Sequence, residues 1–152
     1  TAKAELFVRG SKRGRLMDPQ IRLEKLMDAT GLSKDDVVDA MHELSGLAVF
    51  HRNELAWPKN ELFPEFDRFW MPWDPGKDAL RLAADLVNTE NFSDKSEEIA
   101  ALYSWDARRL NSAISYLAAR GAVQTASGLG AQFVAIWVNK TDATRRFVKS
   151  RS

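Results

Sequence analysis

A chain of 152 residues, 45% hydrophobic and 28% charged, has the make-up of one soluble globular domain or two small ones, not of a disordered segment. It holds no cysteine, which excludes a disulfide framework, a thiolate nucleophile and any Cys-ligated zinc or iron–sulfur site, and no apolar run approaches the roughly 18–20 residues that span a bilayer. Its formal charge of +1 hides a segregation: residues 1–15 carry a net +4, residues 16–106 a net −10 and residues 107–152 a net +7. A cytoplasmic protein without a membrane partner or a cofactor is expected, and Thr1 at the start is what a piece of a longer chain would show.

Residues 2–9 can supply a leading helix and residues 15–17 a short extended piece. Residues 23–31 read as a short helix ended by Gly31. Ser33 then caps a second helix with Asp35 and Asp36 in its first turn, where the helix dipole favours carboxylates. Val49-Phe50 and Leu55-Ala56-Trp57 form a hairpin around Arg52-Asn53-Glu54. From Pro58 to Gly76 the chain holds four prolines and five large aromatics, Phe63, Phe66, Phe69, Trp70 and Trp73. The prolines forbid a long regular helix there, and the aromatics are too many to leave in water, so this stretch is expected to glue its neighbours together or to face a partner.

A second leading helix follows over residues 77–89, with an apolar stripe of Leu80, Ala83, Ala84 and Val87. After an extended piece at 91–93 come a short helix from Ser96 to Ser104, a longer helix over 106–120, and a hairpin pairing Val123 with residues 133–138 across a Gly- and Ser-rich loop. Residues 141–149 can form a closing helix. This order repeats that of the first half at an offset of 73 residues: Leu26 matches Ile99, Val37 matches Leu110, Met41 matches Ile114 and Leu44 matches Leu117, every pair apolar. Within each copy, Val37, Ala40, Met41, Leu44 and Leu110, Ala113, Ile114, Leu117 follow i, i+3, i+4, i+7, one face of an amphipathic helix.

With its apolar helix, Gly-Leu-Ser turn at residues 31–33, second helix running into Gly-Leu-Ala-Val at 46–49 and Gly-Ala-Val at 121–123, and two-stranded hairpin, the chain resembles the winged helix-turn-helix superfamily in two tandem copies. The resemblance implies a mainly α fold with short β-hairpins (α+β): one unit over 1–57, an aromatic, Pro-rich linker over 58–75, a second unit over 76–139 and a basic tail over 140–152. It also implies that the second helix of each pair can enter a DNA groove. On the second copy that helix offers Arg108, Arg109, Asn111, Ser112 and Ser115, residue types that fork onto guanine, pair with adenine or hold phosphate. Lys140, Arg145, Arg146 and Lys149 behind it would add salt-dependent, sequence-blind affinity.

The equivalent helix of the first copy presents Asp35, Asp36, Asp39, His42 and Glu43, whose carboxylates would repel DNA, so at most one unit binds it in the usual way. The leading expectation is therefore a double-stranded-DNA-binding module of a transcription regulator, a replication initiator or a larger protein. The alternative is a tandem adaptor that binds a protein partner or a second copy through that acidic face, Trp70 and Trp73. The basic turn at residues 10–15 is either a further phosphate contact or a solvated loop. No nucleotide-binding or hydrolase motif occurs, Asp39, His42 and Glu43 lack a second His for a metal, and no enzyme activity is expected.

Overall fold

The computed structural model describes Arg9 and residues 11–14, 20–128 and 132–152. The expected extended piece at 15–17 and, apart from Arg9, the leading helix at 2–9 lie outside these residues, as do positions 129–131 of the second hairpin loop.

In the first half β1 (Ile21–Arg22) runs into α1 (Leu23–Thr30), followed by α2 (Lys34–Leu44), β2 (Val49–Arg52) and β3 (Leu55–Pro58). Gly31 ends α1 at φ 73°, a left-handed turn that a side chain would resist, and its N–H reaches the Met27 carbonyl. Ser33 caps α2, its hydroxyl oxygen accepting the Asp36 N–H at 3.2 Å. The strands form an antiparallel sheet with β3 in the middle, Ala56 standing between Ile21 and His51. Among the described residues, Ile21, Leu26, Val37 and Ala56 form the buried core of this half.

The aromatic, Pro-rich stretch is not an irregular strap: residues Leu62–Trp70 form α3. Pro64 stands third in that helix, where its missing N–H is one of the first-turn donors with no intrahelical partner, so the proline is accommodated there without breaking the helix. Phe63 faces inward and is fully buried, whereas Phe66 and Phe69 remain exposed, Phe69 at 70%. The stretch thus packs one aromatic side chain inward and leaves two at the surface of the same helix.

The second half repeats the order with α4 (Pro75–Asn88), α5 (Ser96–Tyr103), α6 (Ala107–Ala119), β4 (Val123–Ala126), β5 (Trp137–Lys140) and α7 (Asp142–Lys149). The extended piece falls at Asp94 and Lys95, not at 91–93, because Asn91 takes a left-handed turn at φ 56°. There the Asp94 carbonyl accepts the Val138 N–H at 2.7 Å and Lys95 pairs with Trp137. The buried stripe of α4 is Ala79, Leu82, Ala83 and Leu86, with Asp78 beside it; Leu80, Ala84 and Val87 are only half-buried. The stripe shifts because α4 packs against both α6 and α7. The terminal stretch is part of this core: Thr144 and Phe147 of α7 are buried. The fold is α+β, mainly helical with short antiparallel hairpins, and α6 lies at its centre between α4 and α3.

Candidate nucleic-acid interface

Asp106 caps α6, accepting the Arg109 N–H at 2.8 Å, and Leu110, Ala113, Ile114 and Leu117 turn into the main core as their spacing requires. The opposite stripe, Arg108, Asn111, Ser112 and Ser115, is the expected reading surface, and it is buried as well. Arg108 is 2% exposed. It forks onto Asp67 of α3, Nε to Oδ2 at 3.1 Å and Nη2 to Oδ1 at 2.6 Å. Its Nη1 donates to the carbonyls of Ser11 and, at 3.2 Å, of Arg9. Asn111 donates to the carbonyls of Arg13 at 2.8 Å and Gln132 at 3.0 Å, and its oxygen accepts the Val134 N–H at 2.8 Å. These bonds hold residues 132–134 on α6, which is why β5 begins at Trp137 and not at Phe133. The hydroxyls of Ser112 and Ser115 are buried without a hydrogen-bond partner among the described residues.

The expectation of an exposed DNA-reading stripe is thus corrected for Arg108, Asn111, Ser112 and Ser115, because α3 and the turn at 11–14 cover it. Arg109 is half-buried and also occupied: Nε and Nη2 meet Asp78 at 2.7 and 2.8 Å, and its guanidinium stands 4.5 Å over the Trp105 ring and 5.8 Å over that of Trp73. The hydrogen bond to Asp78 raises its pKa further above the usual arginine value.

Among the expected phosphate contacts, those that reach solvent lie on α7 and β5. The Thr144 hydroxyl accepts the Thr141 N–H at 2.7 Å and donates to the Ala122 carbonyl at 2.5 Å, while Phe147 meets the Tyr116 ring edge-on at 6.4 Å. With that side of α7 fixed inward, Arg145, Arg146 and Lys149 face out, and Lys140 is exposed on β5. Asp142 is the one acid of the segment; it meets Arg145 at 3.0 Å, but both side chains are well exposed, and such a pair contributes only about 0–1 kcal/mol.

On α2, Asp35, Asp36, Asp39, His42 and Glu43 are all exposed. His42 meets the His51 ring edge-on at 4.9 Å beside a cleft of about 190 Å³ floored by Leu23, Leu26 and Met41. Among the described residues no group of three His, Cys, Asp or Glu is arranged to hold a metal ion. Trp70 is half-buried and stacks on Phe66 at 5.2 Å; Trp73 is half-buried beneath Arg109. Each tryptophan thus presents only part of its surface to solvent.

Sequence reasoning missed Asp67, Asp78, Ser11 and Gly14. Asp78 carried a signal, an acid on the buried side of α4, next to Ala79 and four residues before Leu82. Asp67 carried only the oddity of a carboxylate amid five aromatics. None of the described helices is long and apolar enough to cross a membrane. No protein-family profile, no curated protein and no solved structure matches this chain.

Proposed function

We propose that the chain is a winged-helix-like module that contacts double-stranded DNA through its phosphates, by way of the β5–α7 face and not by reading bases with α6. One observation carries this: Lys140, Arg145, Arg146 and Lys149 are exposed on packed elements, in a segment from residue 137 to the C-terminal end whose one acid is Asp142. Phosphate contacts of this kind supply affinity without sequence information. Burial of Arg108 and Asn111 argues against base readout by α6, since a buried guanidinium held by a carboxylate and two backbone carbonyls does not reach a guanine edge.

Fluorescence anisotropy of a labelled random-sequence duplex, titrated at several salt concentrations, tests the proposal. Binding in the micromolar range that weakens steeply with salt, and at least tenfold in Arg145→Glu/Arg146→Glu/Lys149→Glu, is the expected result. An isotherm that stays flat at the lowest salt, or one indifferent to that triple reversal, would sink it. Arg108→Ala is no test of contact, because it attacks the core.

A second reading, a protein-binding adaptor, is favoured by the acidic α2 face together with exposed Leu44 and Leu47, the latter 78% exposed just past the end of that helix. Loss of duplex binding coupled with retained capture of a partner that Leu47→Asp abolishes would favour it over DNA.

A further inference from the structure

The basic turn near the start of the chain is not a loose arm. Ser11 and Gly14 are buried, and the Ser11 hydroxyl oxygen accepts the Gly14 N–H at 2.9 Å, closing a tight turn. Its backbone is clamped from below by α6: Arg108 takes the carbonyls of Arg9 and Ser11, and Asn111 takes that of Arg13. Gly14 sits at φ 60°, and a Cβ there would lie 2.6 Å from Arg108 Cδ, so only glycine lets the turn seat on the arginine. While the carbonyls point down into the clamp, Arg9, Lys12 and Arg13 are exposed above it.

We propose that Arg9, Lys12 and Arg13 form a second phosphate-contact site for duplex DNA, presented by α6 in place of the bases it was expected to read. Asp67 neutralises Arg108 beneath the turn, so the clamp adds no repulsion to the three cations above it. A cationic segment fixed in this way reaches a phosphate backbone without first losing the conformational freedom of a flexible arm. The inference rests on the reading of the chain as a DNA-contact module, and it differs from that reading in its residues and in requiring a fixed turn.

The same anisotropy experiment on the full chain separates the two. Each phosphate neutralised contributes about 0.9 to the slope of log K against log salt, so Lys12→Gln/Arg13→Gln should lower the slope by about 1.8 and weaken binding roughly tenfold at low salt. Gly14→Ala keeps every charge but unseats the turn, and it should weaken binding severalfold. Ser11→Ala, which removes the turn's closing bond, is the milder variant if Gly14→Ala fails to fold by thermal melting. Wild-type binding with slope and affinity unchanged in Lys12→Gln/Arg13→Gln overturns this site and leaves the β5–α7 face standing. Weakening in that pair with no effect of either turn variant overturns the seated turn, the cations then acting as a flexible arm. Failure of the wild type to bind duplex at any salt removes both proposals.

Discussion

Arg108 has a surface residue's chemistry and a core residue's place. Its fork on Asp67 is enclosed by Phe63, whose ring lies 5.0 Å from the guanidinium carbon. Removing one partner of such a pair leaves the other charged, buried and uncompensated, so Arg108→Ala should cost about 3–5 kcal/mol in urea unfolding. Replacing both partners, as Arg108→Met with Asp67→Leu, should restore most of that, because two apolar groups of similar size need no desolvation. A loss below about 1 kcal/mol in the single variant would show that water reaches the pair. Tyr103 makes a comparable argument for pH. Burial first, and then its hydrogen bond to Asp85, push the phenol above its ordinary value of 10.0. The folded state therefore holds that proton more tightly than the unfolded chain. The stability this gives is present in full below pH 10 and is lost as pH rises beyond it. Above that pH the wild type should lose melting temperature faster than Tyr103→Phe. A phenolate absorbance assigned to Tyr103 by difference, appearing below pH 10 in the folded protein, would contradict this.

Whole elements were legible where their signals are local. Gly31, Ser33 and Asp106 mark helix ends through bonds to residues three or four positions away, and sequence alone placed both ends of α1 and α6 and the start of α2 within about a residue. Which faces are buried was legible only for elements with one neighbour. α4 and α6 each have neighbours on two sides, and a polar stripe such as Arg108, Asn111, Ser112 and Ser115 looks solvated until the carboxylate and carbonyls that meet it are in place. Those partners come from residues 9–14 and from Asp67, up to 99 positions away, and no periodicity carries such information. The closing helix shows both sides of this. Its cations read correctly as exposed, but a basic tail by composition is a packed helix by structure. Phe147→Ala should accordingly cost about 3–5 kcal/mol, while Arg146→Ala stays within about 0.5 kcal/mol in the same unfolding assay. Equal, small effects of the two would mean that α7 does not belong to the cooperative core.

At the scale of the molecule the two halves share an order of elements but not a core. Among the described residues the second half buries sixteen apolar residues around α4 and α6, and the first buries four, a thinner core to which Ala56 contributes little. A unit of about 60 residues is marginal even with a full core, so the first half depends on what ties it to the second. The described ties include Phe63 and Asp67 of α3 and the carbonyls of Arg9, Ser11 and Arg13, which converge on α6. Amide hydrogen exchange should then divide the chain, with α4 and α6 exchanging only through global unfolding and α1, α2 and the β2–β3 hairpin opening at least about 2 kcal/mol more easily. In Arg108→Ala the protection of α3 should fall towards that of the first half, because the ion pair is its buried polar anchor to α6. Uniform protection across both halves would mean that the thin core is backed by contacts beyond these ties, and that the chain folds as one cooperative body. The charge map follows the same division. The half with the smaller described core carries the acidic face of α2, and the half with the larger one carries the cations of β5 and α7, so the phosphate contacts proposed for β5 and α7 stand on a packed core, where pre-positioned side chains lose least entropy on binding.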